Sequence, residues 1–203
     1  MKIAIVGVTG NVGVRLLSEA LLRDHSVTGI ARNPFKFSSR INCEFVGADA
    51  NAVGSLAPKL IGCDAVVLSV PFRYCNHTLL LEAVRTSGVG RVVMVGNAAA
   101  LKTASGELLM DLPQFPGSAR REAIRSEMFL DAMRTVDDLE WTALSPAEKL
   151  CAGDRTGMFR TGEDWLLVAD DGRSWISYDD YAVALLDELE QPKHVQKRFT
   201  VGY

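Results

Sequence analysis

The sequence predicts an α/β fold: a doubly wound parallel sheet of strand order 3-2-1-4-5-6, with a small C-terminal elaboration on the substrate side. Three observations carry this. Short β-branched runs alternate with stretches of helical periodicity as far as Ser145-Pro146. The run Ala65-Val66-Val67-Leu68-Ser69-Val70, closed by Pro71, is continuously apolar but for one serine, as in a strand buried on both faces of a parallel sheet. A glycine-rich turn, Gly7-Val8-Thr9-Gly10-Asn11-Val12-Gly13, separates the first strand from the first helix.

Residues 2–6 form the first strand. A helix over 11–23 follows, with Asn11 as its cap and Val14, Leu17 and Leu21 toward the sheet. Strands over 26–31 and 44–47 come next, then a brief helix over 52–60 and the fourth strand over 65–70. A helix over 76–87 ends at Gly88, a residue suited to a left-handed helix stop. Residues 89–95 make the fifth strand. A long helix over 118–135 places Ile124, Met128, Ala132 and Val136 at four-residue steps, and the sixth strand covers 140–144. Parallel neighbours require crossover connections, nearly always right-handed, and this yields the stated strand order. The segments 96–117 and 146–164 are irregular and follow strand carboxyl ends, where ligands bind in such sheets. Beyond them come strand-like pieces at 158–160 and 165–168. A helix over 178–190 has Ala182, Leu185, Leu186 and Leu189 on one face, and a last strand covers 198–203. The expected organisation is one domain over 1–203, with 146–203 forming a small C-terminal lobe.

Composition narrows the function classes. Of 203 residues, 48% are hydrophobic and 23% charged, which supports a full core and argues against disorder. The net charge of −3 offers no basic face for nucleic acid. No stretch approaches the roughly 18 apolar residues that span a bilayer. The apolar start turns glycine-rich too early for a signal peptide and reads as the first core strand. Cys43, Cys63, Cys75 and Cys151 include no C-x-x-C pair, so no metal site is expected. Free thiols fit a reducing, cytoplasmic setting. Neither nucleic acid nor membrane is expected as a partner; a homodimer is compatible with the sequence.

The glycine turn points to a dinucleotide. After a strand, Gly7 permits a sharp exit, Gly10 lets a pyrophosphate approach the backbone, and Gly13 lets the helix pack close to the sheet. The helix start then directs free N–H groups at phosphate. Such a site makes the sheet Rossmann-type. The end of the second strand, Ala31-Arg32-Asn33-Pro34, lacks the acid that would accept the ribose hydroxyls of NAD. Arg32 suits a 2′-phosphate instead, with Lys36 adding charge, so NADP(H) is expected in preference to NAD(H). Asp49 reads either as a contact to the adenine amino group or as a loop cap. The expected cofactor set is Gly7, Thr9, Gly10, Asn11, Val12, Gly13, Arg32, Asn33, Lys36 and Asp49. Ser69, Val70, Pro71, Gly96 and Asn97 complete it.

The start, residues 2–13, with Ala31-Arg32-Asn33-Pro34, resembles the atypical short-chain dehydrogenases/reductases. The nearest branch is that of the NAD(P)H-flavin reductase-like proteins related to biliverdin reductase B, with a further likeness to NmrA-like sensors. The resemblance continues through residues 92–99, 141–147, 153–157 and 176–182. It implies a Rossmann fold, NADPH, and reduction of a flavin-like, quinone-like or similar planar acceptor. Because the group includes non-catalytic members, it also leaves open a redox sensor that binds NADP(H) without turnover.

Typical short-chain dehydrogenases protonate a carbonyl with a Tyr-x-x-x-Lys pair and a serine after the fifth strand. Residues 113–135 contain neither tyrosine nor lysine, and the fifth strand ends Val95-Gly96-Asn97-Ala98-Ala99. Hydride transfer to a flavin requires only orientation and a dry contact. Nucleotide-sugar epimerase or dehydratase chemistry, which generally uses the pair, is disfavoured. Remaining candidates are open to two readings each. Asn97 is either an acceptor ligand or a loop former. His77 is either a proton donor or a phosphate-side or surface residue. Glu148 either faces the substrate cleft or is a solvated loop residue, and Phe115-Pro116 in the irregular segment is placed to stack a planar substrate. Asp179 or Asp180, flanked by Tyr178 and Tyr181, reads as a helix cap. His25 and His194 read as surface residues, and Trp141, Trp165 and Trp175 as core.

Overall fold

The structure, a computed structural model, describes residues 1–34 and 41–203. Its centre is β1 (Lys2–Val6), which pairs in parallel with β2 (Ser26–Ala31) on one side and β4 (Ala65–Leu68) on the other. β3 (Cys43–Gly47) lies outside β2, while β5 (Arg91–Val95) and β6 (Glu140–Pro146) continue beyond β4. The expected order 3-2-1-4-5-6 is therefore present. All four residues of β4 are buried, because helices cover both sheet faces.

Strand periodicity divides the core into two layers. Ala4, Val6, Val66 and Leu68 face α2 (Val53–Leu60), α3 (His77–Ser87) and α4 (Gly117–Arg134). Ile3, Ile5, Ala65 and Val67 face α1 (Asn11–Leu22) and α5 (Tyr178–Glu190). Asn76 caps α3, accepting from the N–H groups of Thr78 and Leu79, and Gly88 ends it at φ +78°. Asn11, by contrast, is the first residue of α1 and not its cap; Gly10 holds that place and no side chain caps the helix.

Two helical stripes differ from expectation. In α4 the buried residues are Ala123, Ser126, Phe129, Leu130 and Met133, while Ile124 and Met128 are 46% and 45% exposed. Four-residue steps advance about 40° past a full turn each time, so residues 124, 128, 132 and 136 cannot share one face. In α1 the buried residues are Gly13, Leu16, Leu17, Glu19 and Ala20; of the expected stripe Leu17 is among them, Leu21 packs partly buried against the same layer, and Val14 is half-buried.

The C-terminal segment extends the sheet as well as flanking its carboxyl end. β10 (Lys197–Gly202) joins β6 in parallel, and β8 (Arg160–Gly162) pairs antiparallel with β10 at the edge. β7 (Lys149–Cys151) and β9 (Trp175–Ser177) form a separate pair next to the end of β6. The piece at 165–168 forms no strand. Trp165 is 52% exposed with the Lys102 ammonium 5.6 Å from its ring centre, so it is not core. Trp141 is core, and Trp175 packs edge-on against Tyr203.

Polar groups pin this tail. Ser177, not an aspartate, caps α5 by accepting from the Asp180 N–H. Asp180 is fully buried and accepts from the Thr156 and Gly157 N–H groups and from the Thr156 and Tyr203 hydroxyls. Neither histidine is an ordinary surface residue. His25 is buried, with Nε2 2.8 Å from Glu190, and His194 pairs with Glu188 at 2.8 Å while stacking on Phe199.

Glu19, on α1, joins three parts of the chain. Its buried carboxylate accepts from Arg155 at 2.7 and 2.9 Å and from Arg23 at 2.8 Å. Arg23 in turn reaches Asp187 and Glu190 of α5. The Arg155 hydrogen bonds, opposed by burial, hold the Glu19 carboxyl below its ordinary range. Its contribution to stability is fully present above the ordinary glutamate range and disappears as pH falls through the lower native value. Glu19→Gln is expected to lower Tm at neutral pH and to flatten the fall of Tm on acidification. Parallel wild-type and variant melting curves between pH 7 and 3 would contradict this role.

Candidate functional site

The carboxyl ends of β1, β2, β4 and β5 open onto a groove made of two adjoining cavities. One, of about 280 Å³, runs from Gly7 and Thr9 past Ile30, Ala31 and Arg32 to Asp49 and Asn51. The other, of about 300 Å³, is bounded by Asn11, Val12, Gly96, Asn97, Ser126 and Tyr178. Gly10, Ser69, Val70 and Pro71 line both, so the groove is continuous across the sheet's switch point between β1 and β4.

The glycines of the first turn have different reasons to be glycine. Gly7 has φ +91°, and a Cβ there would lie 2.1 Å from the Ser69 carbonyl oxygen. A Cβ on Gly13 would lie 2.3 Å from the Gly7 carbonyl oxygen. A Cβ on Gly10 would meet nothing closer than 3.4 Å. The protein itself leaves room at Gly10, a residue lining both cavities, directly at the uncapped start of α1. That combination fits a pyrophosphate: backbone N–H groups without a side-chain cap, and space that only an unsubstituted Cα leaves open.

At one end of the groove Arg32 is exposed and has no carboxylate partner among the described residues. Asp49 serves its loop, accepting from the Asn51 N–H at 2.9 Å, and also lines the cavity. Asn33 is exposed beside Arg32 and lines neither cavity. Lys36 lies outside the described residues. Burial, with Glu122 and Asp49 adding to it, pushes the Cys75 thiol up to about 11, so this cavity residue stays neutral near pH 7.

At the other end, the Asn97 Oδ1 accepts from the Ala99 N–H at 2.8 Å, which orients its amide and leaves Nδ2 as the group available to a ligand. The Tyr178 hydroxyl accepts from the Asn11 amide at 3.5 Å. Beneath, the Tyr181 hydroxyl donates to the Leu144 carbonyl at 2.6 Å; burial keeps it protonated, and it ties β6 to α5. From α4, Glu122 and Ser126 face the cavity one turn apart. Glu122 accepts from the N–H groups of Phe72 and Arg73 at 2.7 and 3.1 Å and so fastens the loop after β4 to α4. No tyrosine or lysine occurs on α4.

Several candidates stand elsewhere. His77 lines neither cavity; it opens α3 beside a third one, its ring 6.1 Å from Phe129. Glu148 is exposed next to Lys149 and Arg173, away from the groove. Phe115 packs against the small cluster of Ala98, Leu101 and Leu109, with Arg120 over its ring. Conversely, Phe72, Glu122, Ser126 and Tyr178 join the groove through tertiary packing. Only Tyr178 carried a sequence signal, as an aromatic at a helix start. A larger cavity, about 420 Å³ around Phe159, His194 and Phe199, lies along the last turns of α5, apart from the groove.

The family profile for NAD(P)H-binding proteins matches residues 7–192. The uncharacterised protein YwnB of Bacillus subtilis is 36% identical over 99% of this chain and 98% of its own. Among solved structures, a candidate epimerase of Bacteroides thetaiotaomicron is 35% identical, with a TM-score of 0.92 over 100% of this chain and 96% of that one. A candidate NADH-flavin reductase of Streptococcus pneumoniae is 29% identical, with a TM-score of 0.84 over 100% and 99%.

Proposed function

Since this chain belongs to the NAD(P)H-binding family, we propose that it is an NADPH-dependent oxidoreductase that passes hydride to a planar acceptor of the flavin or quinone type. The observation that carries this reading is the continuous groove through Gly10, Ser69, Val70 and Pro71, with a cation at one end and hydrogen-bonding groups at the other. NADPH, when bound, supplies the hydride. The chain supplies the rest. The start of α1 receives the pyrophosphate, Arg32 takes the 2′-phosphate, and Ser69 to Pro71 flank the nicotinamide ribose. Asn97 Nδ2 and the Tyr178 hydroxyl are available to orient an acceptor, and the wall of Phe72 and Val95 excludes water from it.

The absence of tyrosine and lysine from α4 supports a flavin or quinone over a carbonyl substrate, since a reduced flavin takes its proton from water. It weighs equally against an epimerase that depends on that pair. The likeness to the Streptococcus pneumoniae protein supports the same choice. The test is NADPH oxidation, followed at the nicotinamide absorbance band with flavin mononucleotide, riboflavin and a quinone as acceptors, beside calorimetric NADPH binding. Acceptor-dependent oxidation well above the spontaneous rate is expected. Tight NADPH binding without turnover on any acceptor would instead make the protein an NADP(H) sensor.

A further inference from the structure

Of the five buried residues of α4, four are apolar: Ala123, Phe129, Leu130 and Met133. The fifth is Ser126, which is 3% exposed. A serine in a helix commonly returns its hydroxyl to a carbonyl of the preceding turn. Ser18, Ser87 and Thr135, within or at the end of their helices, do so, donating to the carbonyls of Val14, Val84 and Ala132. Ser126 does not: among the described residues its hydroxyl has no hydrogen-bond partner. Glu122, one turn back, directs its carboxylate to the N–H groups of Phe72 and Arg73 instead. A buried hydroxyl left unpaired costs stability, and packing alone would favour alanine at this place.

What Ser126 faces is the acceptor end of the groove. It lines that cavity with Asn97, and neither residue lines the cavity at the phosphate end. The two come from different elements, Asn97 from the turn after β5 and Ser126 from the middle of α4. The Asn97 Oδ1 is committed to the Ala99 N–H, so its amide offers the donor Nδ2. The Ser126 hydroxyl offers a second donor to the same space. Donors fixed in place before the reaction suit an oxygen that gains negative charge during it. Flavins and quinones both present such an oxygen, on a ring carbonyl conjugated to the position that takes hydride. The acceptor gains two electrons with the hydride, its negative charge spreads onto that oxygen, and a proton from water completes the reduction. We propose that Ser126, together with Asn97 Nδ2, hydrogen-bonds the ring carbonyl of the acceptor and stabilises the charge that hydride transfer places there. This inference rests on the reductase reading of the groove.

Ser126→Ala and Asn97→Asp test it. The first removes one hydroxyl from an apolar stripe. The second keeps the oxygen that the Ala99 N–H requires and replaces the donor with a charged acceptor. For Ser126→Ala, Tm is expected to equal or exceed that of the wild type, and NADPH affinity by calorimetry to stay within about twofold. Riboflavin and a soluble naphthoquinone, titrated by fluorescence against the NADP+-saturated protein, are expected to bind about three- to tenfold more weakly. With either acceptor, kcat is expected to fall about tenfold or more. Asn97→Asp should lower kcat further, because its charge opposes the one developing on the acceptor. Unchanged acceptor affinity and kcat in Ser126→Ala would overturn the proposal. So would a loss of NADPH affinity, which would give the hydroxyl to the cofactor, or a fall in Tm, which would make it a structural group. If the wild type binds the acceptors but reduces neither, the reductase reading fails, and the titrations still decide what Ser126 holds. A wild type that binds neither acceptor overturns both.

Discussion

Gly7→Ala is expected to cost about 3 kcal/mol or more of stability, while Gly10→Ala costs no more than about 1 kcal/mol and removes cofactor binding. The two residues stand in the same turn, yet the structure separates their roles. At Gly7 the backbone has φ +91°, and a Cβ would lie 2.1 Å from the Ser69 carbonyl oxygen, a backbone atom fixed by the adjoining β4. That oxygen cannot withdraw unless the end of β4 moves away from β1. At Gly10 the nearest atom to an added Cβ is 3.4 Å away, an ordinary contact. The volume that the methyl takes up is in the groove, where phosphate has to approach the N–H groups at the start of α1. Thermal melting and NADPH calorimetry on both variants decide the matter. A Gly10→Ala protein that binds NADPH within about twofold of the wild type would mean that the turn is structural at that position too.

The sheet was legible because its evidence is local. Each of the six first strands is a short apolar or β-branched run, and the rule for parallel crossovers leaves few orders for them. The stripe on α4 misleads for a local reason as well: steps of four look periodic, but only a mixture of threes and fours stays on one face. Residues after Pro146 were harder. β10 reads as a strand from composition, yet nothing in it says that it pairs with β6, or that β8 should run against it. The same holds for His25, whose partner Glu190 is set by the docking of α5; His194 meets Glu188 only six residues back, where the chain turns after α5.

The groove divides along the same line. Its phosphate end is written in one contiguous stretch, residues 7–13, with the turn after β2 close by in space. Its acceptor end is assembled from distant segments. Tyr178 meets Asn11 across 167 residues because α5 packs beside α1, and Ser126 and Glu122 arrive by the crossing of α4 over the loop after β4. No spacing rule joins such residues before the fold is known. His77 shows the converse. It is near the groove in sequence, but it lines the third cavity, beside Arg73 and Arg121.

Arg32→Ala is expected to weaken NADPH by about 10- to 100-fold while changing NADH by no more than about threefold, the size of one or two charge-assisted hydrogen bonds. Arg32 directly follows the end of β2 and lines the groove opposite Asp49. Its guanidinium has no carboxylate within reach among the described residues, so truncating it strands no buried partner and disturbs no ion pair. The change in affinity then reports the ligand alone. NADH lacks the 2′-phosphate and offers Arg32 only ribose hydroxyls and the face of adenine. Because the residue is exposed, salt should act in the same sense: raising ionic strength should weaken NADPH more than NADH in the wild type, and equally in the variant. Arg32→Asp should go further, since an acid at the end of the second strand accepts the ribose hydroxyls and repels a 2′-phosphate. Equal losses for both cofactors in Arg32→Ala would place the arginine on the adenine face or the pyrophosphate, and would leave the end of β2 without a basis for choosing NADPH.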